Sequence, residues 1–293
     1  MEYTEYSLEI EGLSKHLGDF CLDNINLKLP KGYILGYVGQ NGAGKTTTIK
    51  LVMAMLKQDA GRIKVNGKEF KENEIAFKDS IGFIADDCYY PDEFTLKDIE
   101  KAMASFYPSF DAGKFRRLIK RWELPYHKKV KEFSKGMQTR AMFVAVLARD
   151  TRLLLLDEAT SGLDPVVRSE ILELLQDYIA DGERSVLFST HIMSDLEQIA
   201  DYIYFLDKGK MIIQAEKEDL LEQYVVVKGG TDELKKPLED KIIGIKKSQV
   251  GFEGLLCAEN TDYVKGNLLL EKPTVEQIIL YHIQGMRRQE WMH

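Results

Sequence analysis

The chain has 293 residues, enough for one large and one smaller domain at roughly 100–200 residues per domain. Its net charge is -7 (40 Lys and Arg against 47 Asp and Glu), and no basic block stands out, so a general nucleic-acid-binding surface is not expected. No run approaches the ~20 apolar residues of a membrane span, and the opening "MEYTEYSLEI" does not resemble a signal peptide, which predicts a cytosolic protein. The three cysteines are scattered, which favours free thiols.

Two kinds of strand pattern are present. The first thirty residues alternate apolar and polar side chains, and "GRIKVNGKEF" (61–70) does so around an Asn-Gly turn, which predicts antiparallel strands and a hairpin. Three continuously apolar runs are typical of strands buried in a parallel sheet: "GYILGYVG" (32–39), "RLLLLDEA" (152–159) and "RSVLFSTH" (184–191). Helical patterns follow the first two runs, so we expect an α/β core.

Helices are predicted between the first two parallel strands and at the end of the chain. In a helical insertion at about 87–150, Leu96, Ile99, Met103 and Phe106 would share one face behind a cap at Thr95. The boundaries predicted are a first domain at 1–222 and a small α+β domain at 223–293.

The C-terminal domain carries its own local signals. The runs "YVVVKGG", "KIIGIKK" and "FEGLLCAE" predict short strands separated by Gly and Lys. A capping box between Thr274 and Gln277 would start a final helix.

A phosphate-binding loop is predicted after the first parallel strand, where "GQNGAGKTT" matches G-x-x-x-x-G-K-[ST] between a strand and a helix. Its backbone N–H groups and the positive end of the next helix would surround phosphates. Lys45 would reach the β- and γ-phosphates and Thr46 would offer its hydroxyl to Mg²⁺. The alternative is a Gly-rich turn with a chance lysine, which this context disfavours. The predicted nucleotide-binding residues are Gly39, Gln40, Asn41, Gly42, Ala43, Gly44, Lys45, Thr46 and Thr47.

Two acids and a histidine end the later parallel strands. Asp157 would face Mg²⁺, and Glu158 would lie where an attacking water loses its proton. Paired acids are also common at solvated strand ends, where they have no catalytic role. The phosphate-binding loop in the same chain favours the catalytic interpretation of Asp157 and Glu158. His191 could contact the γ-phosphate, although a histidine at a strand end is more often structural.

A second helix start, "EFSKGMQTR" (132–140), is followed by an Ala-rich apolar stretch. Ser134 could be a simple N-cap.

In chain order, these motifs resemble those of the nucleotide-binding subunits of ABC transporters over about residues 5–220. "GQNGAGKTT" looks like the Walker A loop, "LLLLDE" like Walker B with its catalytic glutamate, and His191 like the H-switch. The resemblance places Asp86 at the Q-loop, Asp164 in the D-loop, and the signature at Ser134, Lys135, Gly136 and Met137. It implies a P-loop NTPase core with an N-terminal antiparallel β subdomain. It also implies hydrolysis of ATP with Mg²⁺ held at Thr46, Asp86 and Asp157.

The resemblance also implies partners. Two ATPase subunits, identical or different, would pack head to tail, so that Ser134 and the Gly136 backbone serve a γ-phosphate held by the partner. A separate membrane-spanning subunit would be contacted through residues around 87–125, and no nucleic acid is expected. The protein would then lie in the cytoplasm, on the inner face of the cell membrane.

Two departures from the family pattern affect the nucleotide site. Asp86 stands where the Q-loop has glutamine, and its shorter side chain would reach less far. The aromatic residue that stacks on adenine would align with Leu17, so either stacking is lost or His16 or Phe20 substitutes.

The signature narrows the subclass. Lys135 and Met137 replace its usual Gly and Gln, a variation similar to bacterial ABC-2 exporters, which favours export of drugs, antimicrobial peptides or lipids. One alternative is a soluble ABC ATPase acting on ribosomes or DNA, although such proteins typically carry two cassettes or long coiled coils. The other is a low-turnover nucleotide-binding regulator, which requires that Asp86 and Leu17 have weakened the site.

Overall fold

The structure of the protein is a computed structural model that describes residues 5–290, excluding the side chains of 288–290. The strands are β1 (Tyr6–Leu17), β2 (Phe20–Pro30), β3 (Ile34–Gly39), β4 (Ala60–Val65), β5 (Ile81–Ala85), β6 (Leu153–Asp157), β7 (Ser185–Ser189), β8 (Tyr202–Asp207), β9 (Lys210–Glu216), β10 (Tyr224–Gly229), β11 (Ile245–Lys247), β12 (Phe252–Cys257) and β13 (Leu269–Glu271). The α-helices are α1 (Lys45–Val52), α2 (Glu74–Asp79), α3 (Leu96–Phe106), α4 (Ala112–Arg121), α5 (Lys135–Leu147), α6 (Pro165–Ile179), α7 (Met193–Ile199), α8 (Lys217–Glu222), α9 (Leu238–Lys241) and α10 (Val275–Glu290).

A mostly parallel sheet forms the centre of the first compact unit, which ends at Gln214. Its strand order is β5-β6-β7-β3-β8-β9, and the first five of these pair in parallel. The runs predicted as doubly buried strands, β3, β6 and β7, are almost completely buried, as expected for a parallel sheet covered on both faces. The predicted α/β fold with a mostly parallel sheet is confirmed.

The N-terminal alternating segments form a separate antiparallel sheet in the order β2-β1-β4. Leu17 pairs with Phe20 at the turn between β1 and β2, so the first thirty residues form antiparallel strands, as predicted. The prediction of a second hairpin strand after the turn at Asn66 is wrong. Lys68 makes one antiparallel bridge with Val65, and the chain then enters a 3-10 helix at Phe70–Glu72. A reciprocal capping box between Glu69 and Glu72 satisfies backbone groups there, which favours the helical turn.

The predicted helical insertion contains α3, α4 and α5 around its own apolar cluster. Thr95 caps α3, and Asp98 returns the hydrogen bond to the Thr95 N–H at 3.0 Å. Leu96, Ile99 and Met103 are buried, but Phe106 is 76% exposed. The predicted apolar face therefore stops one turn early, because α3 ends at Phe106.

The second compact unit begins at Ala215 and contains an antiparallel sheet in the order β11-β12-β10-β13. Thr274 and Gln277 form the predicted capping box before α10. The strand predicted over "KIIGIKK" (241–247) is shorter, because Lys241 ends α9, residues 243–244 form a bend and only β11 is a strand. The two units divide between Gln214 and Ala215, before α8 begins. The boundary predicted from the sequence, residue 222, lies at the end of α8, whose Leu220 is buried.

Cys21, Cys88 and Cys257 carry free thiols, as predicted. Between residues 5 and 290, no helix has the length and apolar character that crossing a membrane requires.

We predict that Gly209, between β8 and β9, is needed for stability. Its φ is +77°, and a Cβ there would lie 1.9 Å from the carbonyl oxygen of Cys21. Gly182 has a similar φ of +74° but open space around it, which makes it a matched control. Gly182→Ala should lower the free energy of unfolding by about 1–2 kcal/mol. Gly209→Ala should lower it by about 1–3 kcal/mol more because of the steric overlap. Urea denaturation measures both, and equal losses would contradict the close approach.

Candidate active site

The predicted phosphate-binding loop joins β3 to α1. No described side chain caps α1, and its first turn has no acidic residue, so its leading N–H groups remain available to an anion. Beneath the helix, the hydroxyls of Tyr37 and Thr48 are hydrogen-bonded at 3.1 Å. Burial raises the pKa of the Tyr37 phenol, which therefore stays neutral and fixes α1 on the sheet.

A cavity of about 430 Å³ lies over this loop. Its lining residues are Phe20, Gln40, Asn41, Gly42, Gly44, Lys45, Thr46, Thr47 and Glu158. The structure thus brings most of the predicted loop residues together with the predicted general base. Of the aromatic candidates, Phe20 lines the cavity. His16 instead bonds Asp59 through its backbone N–H, at 2.8 Å.

Lys45 is buried and has only oxygen partners. Its ammonium donates to the carbonyl oxygens of Gly39 at 2.7 Å and Gln40 at 3.5 Å. It also lies 3.5 Å from Glu158 Oε1. A buried ammonium needs anionic or carbonyl partners, and phosphate oxygens can replace these.

Thr46 and Asp157 meet across the site. Thr46 Oγ1 donates to Asp157 Oδ2 at 2.7 Å, and Asp157 Oδ1 is buried with no hydrogen-bond partner. In residues 5–290, no group of three or more His, Cys, Asp or Glu could hold a metal. Mg²⁺ commonly binds one or two protein oxygens together with substrate phosphates, so Thr46 and Asp157 fit an ion that arrives with a nucleotide.

Glu158 and His191 are also in contact, as their strands suggested. His191 donates its backbone N–H to Glu158 Oε2 at 3.2 Å, and its Nδ1 lies 2.5 Å from the same oxygen. Glu158 has a φ of +56°, a strained conformation for a residue other than glycine. Such strain clusters at functional sites.

Asp86 and the second helix start belong to a different set of contacts. Lys135 Nζ donates to Asp86 Oδ1 at 2.5 Å, so the residue predicted at the Q-loop is engaged by the predicted signature. Ser134 is the N-cap of α5, where its Oγ accepts from the Met137 N–H at 3.3 Å. Asp164 caps α6, accepting two backbone N–H groups at 3.1 Å each.

Sequence reasoning missed a buried network that supports the catalytic loop. Asp195 is 1% exposed and accepts from Thr160 Oγ1 at 2.8 Å and from Arg168 Nε at 2.6 Å. These bonds tie the loop after Glu158 to α6 and α7. The three residues belong to no motif; the one sequence signal was an acidic residue among the apolar positions of α7.

A phosphate loop at the start of a helix, next to strand-end carboxylates on a parallel sheet, defines a P-loop nucleoside triphosphatase. Residues 22–161 match the ABC transporter family. The chain is 28% identical over 291 residues to the ABC transporter ATP-binding protein YtrB of Bacillus subtilis (strain 168), covering 96% of this chain and 99% of YtrB. It is 31% identical over 211 residues to the lantibiotic transport ATP-binding protein SrtF of Streptococcus pyogenes, covering 71% and 90%.

A solved structure of an ATP-binding subunit of an ABC transporter has a TM-score of 0.67 at 26% identity, covering 74% of this chain and 92% of that one. This chain belongs to the family of ABC transporter ATP-binding subunits. It binds and hydrolyses ATP to power a transporter, as the motif order predicted. Subunits of this family work with membrane subunits.

We expect Phe20 to supply the aromatic surface for adenine. Phe20→Leu keeps an apolar side chain of similar size but removes the ring, so ATP should bind about fivefold or more weakly in calorimetric titrations. Leu17→Ala, in the same hairpin, should change the affinity little. An unchanged affinity in Phe20→Leu, or a larger loss in Leu17→Ala, would rule out this role for Phe20.

Proposed function

We propose that this chain is the ATPase subunit of a bacterial ABC-2 exporter, binding MgATP between two ATPase subunits on the cytoplasmic face of the membrane. The observation that carries the proposal is the convergence of Lys45, Thr46, Asp157, Glu158 and His191 in one site. Its similarity to SrtF, a lantibiotic transport protein, supports the exporter subclass.

Phosphate binding follows from the partners that Lys45 now has. The nucleotide's β- and γ-phosphates would replace the carbonyl oxygens of Gly39 and Gln40 on its ammonium. Mg²⁺ would be held by Thr46 and Asp157, where it would neutralise charge on the phosphates. Direct contact of Asp86 with the metal remains a prediction.

Glu158 would be the general base. Both hydrogen bonds from His191 reach the same carboxylate oxygen, which fixes the orientation of the group. The second oxygen, Oε1, is buried, makes no hydrogen bond and lies 3.5 Å from the Lys45 ammonium. Once phosphates take over that ammonium, Oε1 would be available to accept a proton from water. His191 would thus position the base and lie beside the γ-phosphate.

The signature would act on ATP held by a second subunit, identical or different. Ser134, Lys135, Gly136 and Met137 form the cap and first turn of α5, which contains no acidic side chain. A helix start of this kind stabilises a phosphate presented to it from outside.

The membrane-spanning partner would dock on an apolar groove of about 570 Å³ between the core and the helical insertion. Tyr89, Phe106 and Met55 are exposed in its lining, an apolar surface typical of an interaction site. Phe83 of β5 also lines the groove, so a docked segment would bear on the strand that leads to Asp86.

The two-subunit site can be tested with Glu158→Gln, which cannot accept the proton and should retain ATP. The variant should be a dimer with ATP and a monomer without it in size exclusion with light scattering, since ATP binding shared by two subunits stabilises the dimer. Adding Ser134→Arg should abolish this dimer while ATP still binds the monomer. Ser105→Arg, at an exposed position of α3, is the matched control and should dimerise normally. Normal dimerisation of the Ser134→Arg variant would limit Ser134 to helix capping.

Docking can be tested separately by introducing charge into the groove. When the chain is expressed with the membrane protein encoded beside its gene, Phe106→Asp should reduce co-purification about tenfold or more, because it buries an unpaired carboxylate at the contact. Val250→Asp, at an exposed position in the C-terminal unit, is the control. Equal recovery of both variants would place the docking surface elsewhere.

A further inference from the structure

An ion pair joins the residue that follows β5 to the start of α5. Lys135, at the first position of α5, donates to Asp86, which directly follows β5, at 2.5 Å. The side chains are 39% and 43% exposed, respectively. Exposed ion pairs stabilise a fold weakly, so this pair can exchange one partner for another at small cost.

The position of Lys135 favours a nearby anion. The N-terminus of a helix carries partial positive charge, which disfavours an ammonium there, and the first turn of α5 has no acidic residue. Asp86 supplies the missing negative charge. The ammonium also lies against the D-loop, since a Cβ on Gly162 would be 3.2 Å from Lys135 Nζ.

Asp86 is also next to the catalytic strand. Ala85 lies beside Asp157 in the parallel register, so Asp86 leaves the sheet at the edge that carries Asp157 and Glu158. Its bonded oxygen faces Lys135. A displacement of the chain after β5 therefore changes the contact at the start of α5.

We propose that Asp86 is a positioning residue that acts on the reaction through Lys135. It neutralises and restrains the Lys135 ammonium until a phosphate of the nucleotide on a second subunit takes the place of the carboxylate. The inference rests on the proposed two-subunit ATP site. It assigns the side chain of Asp86 to Lys135 instead of Mg²⁺.

The test is a double-mutant cycle on the ATP-dependent dimer of Glu158→Gln, with dissociation constants from sedimentation. Asp86→Asn should tighten the dimer by up to about fivefold, because Lys135 loses its competing partner. Lys135→Met should weaken it about tenfold or more, because a charged contact to phosphate is lost. The double variant should match Lys135→Met alone, since Asp86 then has no ammonium to restrain.

Two further readouts separate this role from a general effect on folding. The effect of Asp86→Asn should shrink as salt is raised, because exposed charges are screened, and the Mg²⁺ titration of ATP binding should not move. Glu93→Gln is the control: it removes ion pairs with Lys129 and Lys131 elsewhere in the insertion and should leave the dimer unchanged.

A different pattern would overturn the proposal. If Asp86→Asn weakens the dimer equally with and without Lys135, and shifts the Mg²⁺ titration, Asp86 acts directly on the metal. If the Glu158→Gln parent stays monomeric with ATP, the two-subunit site itself fails, and the exchange of partners at Lys135 fails with it.

Discussion

In the central sheet, Ala85, Asp157 and Ser189 lie side by side in parallel register, and the chain leaves all three strands at one edge. This alignment fixes where Asp86, Glu158 and His191 can be. The Glu158 N–H donates to the Ser189 carbonyl oxygen at 2.9 Å, so the pairing of β6 with β7 extends one residue beyond the end of β6. A slip of one strand by one residue would turn its side chains to the opposite face of the sheet and separate Asp86, Glu158 and His191.

The site also contains polar groups that the protein satisfies only in part. Asp157 Oδ1 and Glu158 Oε1 are buried without a hydrogen-bond partner, and Lys45 contacts a carboxylate only at 3.5 Å. Leaving such a group unpaired typically costs about 1–3 kcal/mol. Phosphates at the Lys45 ammonium, a metal ion at Asp157 Oδ1 and a water at Glu158 Oε1 would supply the missing partners, so binding the nucleotide would offset a cost already present in the fold. The buried contacts of Asp195 hold the loop in place meanwhile.

The sequence predicted those features that depend on neighbouring residues. The phosphate loop has a fixed local spacing, and the doubly buried strands have unbroken apolar runs. The Asn66-Gly67 pair correctly predicted a turn. The strand predicted after it did not form, because the capping box at Glu69 starts a 3-10 helix there. The contact between Lys135 and Asp86 joins residues 49 positions apart, so no local pattern contained it.

The starts of α1 and α5 both lack an acidic residue in the first turn, but they differ in how the helix is capped. At α1 no described side chain acts as a cap, whereas at α5 Ser134 caps the helix and Lys135 adds positive charge. The first site lies beside Glu158 and can hold phosphates within one chain. The start of α5 lies in the helical insertion, where the Asp86 carboxylate pairs with Lys135. The Asp86 carboxylate is a weaker partner for the Lys135 ammonium than a phosphate, because a phosphate carries more charge and more acceptor oxygens. In the proposed exchange, α5 would accept a phosphate from outside, and until then Asp86 would keep that position occupied by a group that is easily displaced.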